Sequence, residues 1–187
     1  MYGMGSSEIM LGKALASRRE DAVIATKVYF SHSTEINSLG TSRLSILREV
    51  EKSLQRLGTD YIDLYQVHSF DATTPLEETL RALDDCVRQG KVRYIGLSNF
   101  AAWQIAKADA LARQLGTERF CSVQAYYSLA GRELEREILP AVQDLGLGVM
   151  VWSPLAGGFL SGKFTDSDEG AGRRGTFEFP PVHPEQG

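Results

Sequence analysis

Short apolar runs alternate with longer segments whose apolar residues recur every three or four positions. The runs 23–28, 61–67, 92–97, 122–127 and 148–152 are short and mostly apolar, which is typical of buried strands. The segments 47–57, 75–90, 101–115 and 134–145 have helical spacing, and a further helix is predicted from Ser6 to about residue 17, with a serine as its cap. Pro140 predicts a kink or a restart in the last helix.

Strands that alternate with helices indicate a parallel sheet with right-handed crossovers. Such a sheet closes into a (β/α) barrel or stays open and doubly wound. No G-x-G-x-x-G turn and no P-loop follows any predicted strand, so a Rossmann fold or a nucleoside triphosphatase is the less favoured interpretation. We therefore favour an α/β fold built as a partial barrel over residues 1–163. Beyond Lys163 the pattern gives way to Asp, Gly, Arg and Pro, so 164–187 is predicted to be a poorly ordered tail.

Composition excludes several classes of protein. The chain has 187 residues, 43% hydrophobic and 24% charged, with a net charge of −4 and no basic stripe, so we expect one domain that does not bind nucleic acid. No apolar run could span a bilayer and the first residues lack a secretory signal pattern, so no membrane association and a cytoplasmic location are expected. Cys86 and Cys121 lack the spacing of metal ligands, and no metal site is predicted.

Polar or aromatic residues occur at the same point of every predicted β/α unit, where the strand ends. These positions are Lys27, His68, Ser98 with Asn99, Gln124, and Trp152 with Ser153. In a parallel barrel the carboxyl ends of the strands meet at one mouth, where active sites form. Each residue has an ordinary structural explanation. The lysine could be a solvated residue at a strand end, and the histidine could lie at the boundary of the core. The Ser-Asn pair could cap the next helix, the glutamine could bond to a neighbouring backbone group, and the tryptophan could pack in the core. Because such residues recur at the same point of every β/α unit, we favour an active site over five separate structural roles.

The side chains at these strand ends suit the reduction of a carbonyl group. A carbonyl oxygen that gains negative charge needs a proton donor and nearby positive charge. Tyr2 precedes the first helix and can give the proton, and an ammonium such as that of Lys27 makes a phenol of pKa ~10 a better acid. His68 can orient the carbonyl. Ser, Asn and Gln side chains suit a carboxamide and a Trp ring suits an aromatic heterocycle, so a nicotinamide and hydride transfer are indicated.

Several motifs, in order, resemble the aldo-keto reductase family. They are Met1-Tyr2-Gly3, the Ala25-Thr26-Lys27 strand, "LGTDYIDLYQVH" at 57–68, "GKVRYIGLSNF" at 90–100, "VQAYYSL" at 123–129 and "VWSPLAGGFLSGKF" at 151–164. The resemblance runs from Tyr2 to about Arg174, and the segment that ends in His68 is its most specific piece. It implies an α/β (β/α)8 TIM barrel, of which this chain holds about five strands, the third to the seventh.

The resemblance also implies a role for each matching residue. Tyr2 would be the general acid, Lys27 the partner that lowers its pKa, and His68 the group that orients the carbonyl. The nicotinamide carboxamide would be held by Ser98, Asn99 and Gln124, its ring would stack on Trp152, and the phosphates would lie near Ser153, Leu155 and Lys163. The implied cofactor is NADPH (NADP), and the implied reaction reduces an aldehyde or ketone, a small-molecule carbonyl substrate, to an alcohol.

The chain departs from the family pattern at both ends. The catalytic Asp, five residues before the family's tyrosine, has no counterpart here. Strand one, nearly all of strand two, strand eight and the segment for the 2′-phosphate are missing as well. We therefore expect a truncated or partial sequence that alone has little reductase activity and can self-associate through exposed barrel edges.

Two further readings stay open. One is a non-catalytic or regulatory protein on the same fold, like the potassium-channel beta subunits, although these resemble the family except for asparagine at the position of His68. The other is a gene remnant. The substrate cannot be read from the residues. Tyr29, Phe30 and His32, beside or within a predicted loop at 30–42, could contact substrate, but a plain surface loop is the favoured interpretation.

Overall fold

The five predicted strands form one parallel sheet. The computed structural model describes residues 3–30 and 38–162. The strands are β1 (Ala25–Val28), β2 (Ile62–Val67), β3 (Val92–Ser98), β4 (Phe120–Tyr126) and β5 (Gly148–Trp152). Each strand pairs in parallel with the next one along the chain. This confirms the predicted sheet, while the predicted tail at 164–187 lies outside the described residues.

The strand order distinguishes the two closures that the sequence left open. A doubly wound sheet reverses its strand order at a switch point, and the order here, β1-β2-β3-β4-β5, never reverses. With right-handed crossovers, an unreversed order puts every connecting helix on the same face. The architecture is therefore that of a partial (β/α) barrel.

Five helices cover that face. They are α1 (Ser6–Leu15), α2 (Arg43–Leu57), α3 (Leu76–Arg88), α4 (Ala102–Leu115) and α5 (Ile138–Leu145). Short 3-10 turns occupy Gly3–Gly5, Arg19–Asp21, Glu133–Glu135 and Ala156–Ser161. Helices that are neighbours in the sequence also contact one another. In residues 3–30 and 38–162 we find no helix with the length and apolar character needed to cross a bilayer.

Two helix boundaries differ from the prediction. The cap of α1 is Gly5, in a left-handed conformation with φ 91°, and not a serine. The helix predicted at 134–145 is split into the turn Glu133–Glu135 and α5, which restarts at Ile138. Pro140 lies in the first turn of α5, where a missing N–H breaks no intrahelical hydrogen bond, so the restart is the outcome that proline permits.

The core lies between the sheet and the helices. Buried side chains from alternate strand positions, such as Tyr65, Ile95 and Val123, pack against Leu80 and Leu83 of α3 and their neighbours. The intervening strand residues point to the opposite face, which in a closed barrel is the interior. Packing on that face is close at its centre: a Cβ on Gly96 would lie 2.8 Å from Ser122 Oγ and 3.1 Å from Gln66 Cγ. The positions predicted to carry chemistry belong to this face or to its rim.

One buried carboxylate joins the segments that follow β1 and β2. Asp71, 9% exposed, accepts hydrogen bonds from Thr41 (N at 2.8 Å, Oγ1 at 3.3 Å), Thr73 (N at 2.9 Å, Oγ1 at 2.6 Å) and Thr74 (Oγ1 at 2.8 Å). Burial raises the pKa of Asp71, but the hydrogen bonds from these threonines outweigh it and hold the pKa well below its ordinary value. Glycine at position 40 leaves room for the carboxylate, because a Cβ there would lie 2.6 Å from Asp71 Oδ2.

We expect Asp71→Asn to lower the free energy of unfolding by about 2–4 kcal/mol at pH 7, because an amide cannot accept all of these bonds. The depressed pKa means that the carboxylate stabilises the fold above the unfolded-state pKa of ~3.9 and loses this effect as the pH falls. The difference between the two proteins should therefore shrink by roughly 1.4 kcal/mol per pH unit below ~3.9.

Urea unfolding at pH 7 and pH 3 measures this difference. Asp60→Asn, at an exposed position, is the matched control and should change stability by less than about 0.5 kcal/mol. An Asp71→Asn protein as stable as the control at pH 7 would contradict the role given to the carboxylate.

Candidate active site

Lys27 and His68 line the same cavity. It has a volume of about 290 Å³ and runs along β1 from Ala25 to Lys27, with His68 contributed from just after β2. Its walls also include residues around the start of α1, in β1 and just after it, and at the end of α2, among them Gly5, Ser7, Glu8, Thr26 and Phe30. Tyr2 lies outside the described residues. Gly5 and Ser7, only three and five positions after it, line this cavity, so the structure brings the segment that follows Tyr2 to the lysine and the histidine.

Strand register is the reason for this meeting. Lys27 pairs with Gln66 across β1 and β2, and one step further Val28 pairs with Val67. The backbone N–H of His68 then donates to the carbonyl oxygen of Val28 at 2.9 Å, which extends the ladder past the end of β2. The lysine therefore lies one position before the end of its strand, and the histidine one position after the end of the neighbouring strand.

The surroundings of His68 favour a neutral ring. Partial burial and the charge of Lys27 lower the pKa of His68 from 6.5 to about 4. The ring of Phe30 packs edge-on against the imidazole, with 4.9 Å between centroids and 86° between planes. At neutral pH the imidazole therefore has one N–H donor and one acceptor nitrogen, which suits a group that hydrogen-bonds a carbonyl oxygen.

Sequence reasoning missed a carboxylate beside the lysine. Glu8, in the first turn of α1, accepts a hydrogen bond from Thr26 Oγ1 at 2.6 Å and forms an ion pair with Arg56 of α2. Both side chains of the pair are largely buried, at 13% and 20% exposure. This link ties α1, β1 and α2 together next to Lys27. The sequence showed only an acidic residue near a helix start, with no sign of its distant partners.

A second group of side chains joins three strand ends. Asn99 Nδ2 donates to the backbone oxygen of His68 at 3.0 Å and to Ser98 Oγ at 3.1 Å. Trp152 Nε1 donates to Asn99 Oδ1 at 2.9 Å, and the indole also packs on Tyr126 with 5.0 Å between ring centroids. The predicted residues of β3 and β5 therefore touch one another and the histidine segment.

Gln124 lies beside this group. It pairs with Ser98 in the sheet, and its backbone oxygen accepts from the N–H of Asn99 at 3.0 Å. Its side-chain oxygen Oε1 is buried and has no hydrogen-bond partner among the described residues. A buried acceptor without a partner is costly and usually receives a hydrogen bond from water or a ligand.

The remaining predicted residues belong to the turn after β5. Ser153 directly follows the strand, its backbone oxygen accepts from Ala156 N–H at 2.8 Å, and Leu155 is 56% exposed. Lys163 lies outside the described residues. The turn contains Gly157 and Gly158 at φ 68° and 103°, a sharp backbone path that glycine adopts without strain. The contacts of these residues with phosphates stay predictions.

Backbone strain also concentrates at this end of the sheet. Tyr29, Asn99 and Ser153 are the residues immediately after β1, β3 and β5, and their φ values are 134°, 58° and 54°. A non-glycine residue in such a conformation costs of order 1–3 kcal/mol, and such residues cluster at functional sites. The strain therefore marks the same rim as the side-chain chemistry.

We expect His68 to titrate at about pH 4. Since the folded pKa lies below the unfolded value of 6.5, the neutral ring is favoured by folding, and stability should fall as the pH drops from 6.5 through the folded pKa. Lys27→Met should raise the pKa of His68 but leave it below 6.5, because burial is the larger cause.

NMR titration of the imidazole, assigned with His68→Gln, measures these values. A His68 resonance that titrates at or above pH 6.5 in the unsubstituted chain would contradict the placement of the ring against Lys27 and Phe30.

Comparison with known proteins identifies the family. The model of the Aldo/keto reductase family matches residues 1–176. The chain is 46% identical over 181 residues to the uncharacterized oxidoreductase YrpG of Bacillus subtilis (strain 168), an alignment that covers 91% of this chain and 56% of that protein. It is 41% identical over 181 residues to the versiconal hemiacetal acetate reductase of Aspergillus parasiticus, covering 86% of this chain and 52% of that protein.

Another relative has the same kind of name. Norsolorinic acid reductase B of Aspergillus parasiticus is 41% identical over 162 residues, which covers 82% of this chain and 42% of that protein. The chain thus spans about half the length of the curated relatives it matches. The matched family model and these identities show that the chain belongs to the aldo/keto reductase family.

Proposed function

We propose that this site reduces an aldehyde or ketone to an alcohol with NADPH as the hydride source. The observation that carries the proposal is the shared cavity of Lys27 and His68, which puts an amine and a neutral imidazole around one small space. Membership of a family of oxidoreductases supports it, as do the relatives that are named as reductases.

The groups at the ends of β3, β4 and β5 fit a nicotinamide carboxamide, which presents one acceptor oxygen and an NH₂ donor. Ser98 Oγ accepts from Asn99, so its own hydroxyl proton remains available to a carboxamide oxygen. Gln124 Oε1 is a buried acceptor without a partner in the described chain and suits the NH₂. Trp152, fixed by Asn99 and Tyr126, offers a ring face to the heterocycle. When bound, the nicotinamide supplies the hydride.

The cavity residues manage the charge that appears on the carbonyl oxygen. His68, neutral at pH 7, donates an N–H to that oxygen and orients it. Tyr2 gives the proton, and the Lys27 ammonium favours the phenolate that remains. Ser153, Leu155 and Lys163, on the far side of Trp152 in sequence, contact the diphosphate. The preference for NADPH over NADH rests on the family resemblance.

We expect Lys27→Met to slow hydride transfer at least about 100-fold, because the phenol then loses the positive charge that makes it an effective acid. Single-turnover transfer of deuterium from labelled NADPH to an aromatic aldehyde, followed by mass spectrometry of the alcohol, detects even a slow reaction. The rate should be compared at saturating cofactor, so that a change in binding does not mimic a change in proton transfer.

Lys107→Met is the control, since Lys107 is an exposed residue of α4 away from the cavity, and its rate should match that of the unsubstituted chain. Lys27→Met with a rate within threefold of the control would refute the proposed role of the lysine. No labelled alcohol from the unsubstituted chain would contradict the proposal for this chain.

A further inference from the structure

We propose that Asn99 is a positioning residue whose amide holds the Trp152 indole and the His68 backbone in a fixed relation before any cofactor binds. The inference rests on the proposed function only for its consequence, namely that the stacking ring and the carbonyl-orienting group belong to one site. Its evidence is a set of contacts among the chain's own atoms.

The amide of Asn99 reaches two strand ends that are not neighbours. It lies at the end of β3, donates to the backbone oxygen of His68 after β2, and accepts from Trp152 Nε1 at the end of β5. β4 lies between β3 and β5 in the sheet, so no ladder hydrogen bond could join these ends. The left-handed backbone of Asn99, at φ 58°, aims the side chain across the rim, and asparagine tolerates that conformation better than most residues.

The chemistry of the partners fixes which way the amide points. With the amide turned over, Oδ1 would face the carbonyl oxygen of His68 and Nδ2 would face the indole N–H. Both would be repulsive pairs, of two acceptors and of two donors. The observed orientation satisfies all three contacts, at 3.0 Å, 3.1 Å and 2.9 Å. Each Nδ2–H has a protein acceptor, while one lone pair of Oδ1 remains.

This arrangement separates the work of neighbouring residues. Ser98 and Gln124 hold the unused hydroxyl proton and the buried acceptor that suit a carboxamide. In the cofactor-free chain both N–H donors of Asn99 bond to the protein. The indole is held at one edge by its N–H bond and contacts the ring of Tyr126, tilted by 53°, so loss of Asn99 would free the indole to rotate about its side-chain torsions.

Two substitutions separate the contacts. Asn99→Gly removes the side chain without straining the backbone, because glycine adopts φ 58° readily. Asn99→Asp keeps an oxygen that accepts from Trp152 but replaces the N–H donors to His68 and Ser98 with an acceptor, so the contact with the His68 carbonyl oxygen becomes repulsive while the charge-assisted bond from the indole remains. Both variants are compared with the unsubstituted 187-residue chain, isotope-labelled and free of cofactor.

Hydrogen exchange of the Trp152 indole N–H and the ¹³C shift of the His68 carbonyl are the readouts. We expect Asn99→Gly to speed the indole exchange roughly three- to tenfold, the loss of one hydrogen bond, and Asn99→Asp to leave it near its starting value. The His68 carbonyl shift should move in both variants. Trp103, 60% exposed on α4, is the internal control and should not respond.

Unchanged Trp152 exchange in Asn99→Gly would overturn the proposal, as would Asn99→Asp exchange as fast as that of Asn99→Gly. If Asn99→Gly fails to fold, a stationary His68 carbonyl shift in Asn99→Asp overturns it alone. Because no cofactor is present, these outcomes are independent of reductase activity. A chain without hydride transfer that still shows the expected pattern would refute the proposed function and leave this inference standing.

Discussion

The pairing of Lys27 with Gln66 sets the geometry on which the site depends. Parallel strands in unreversed order bring all five carboxyl ends to one rim, and the register decides which residue of each strand arrives there. Because side chains alternate between faces, a slip by one residue would exchange Lys27 for a neighbour and turn the amine towards the helices. The buried layer of Tyr65, Ile95 and Val123 opposes such a slip, since the same shift would expose it. The same strand register therefore determines both the packing of the core and the position of the site residues.

The rim then holds its members by polar contacts that cross between strands. Asp71 joins the segments after β1 and β2, and Asn99 joins the ends of β2, β3 and β5. In each link the hydrogen bonds connect the loops that follow the strands, outside the regular secondary structure. The strained backbone at Tyr29, Asn99 and Ser153 lies along this same rim. The stability gained in the core and in these links thus offsets the strain of the backbone conformations that direct side chains across the mouth of the barrel.

The sequence predicted the parallel sheet and the strand ends well, because short apolar runs and polar residues at their ends are local signals. The proximity of Lys27 and His68 was also predictable, because the carboxyl ends of neighbouring parallel strands lie at the same edge of the sheet. It missed Glu8, whose partners lie 18 and 48 residues away, and the bond from Thr41 to Asp71, 30 residues apart, because such distant contacts leave no local pattern. The order of bonds around Asn99 was likewise out of reach, since a Ser-Asn pair after a strand suits a helix cap equally well. The cap of α1 was misplaced because glycine and serine both suit that position.

The most direct test of the central claim is to ask where a nicotinamide lies on this chain. Nuclear Overhauser effects between the nicotinamide ring protons of NADP⁺ and assigned side chains of the 187-residue protein measure this. If the strand ends form one site, the ring protons should contact the Trp152 indole and lie within reach of the His68 imidazole. Contacts confined to the opposite end of the sheet, near Tyr61, or a ring that reaches neither Trp152 nor His68, would contradict the claim that the rim is the active site.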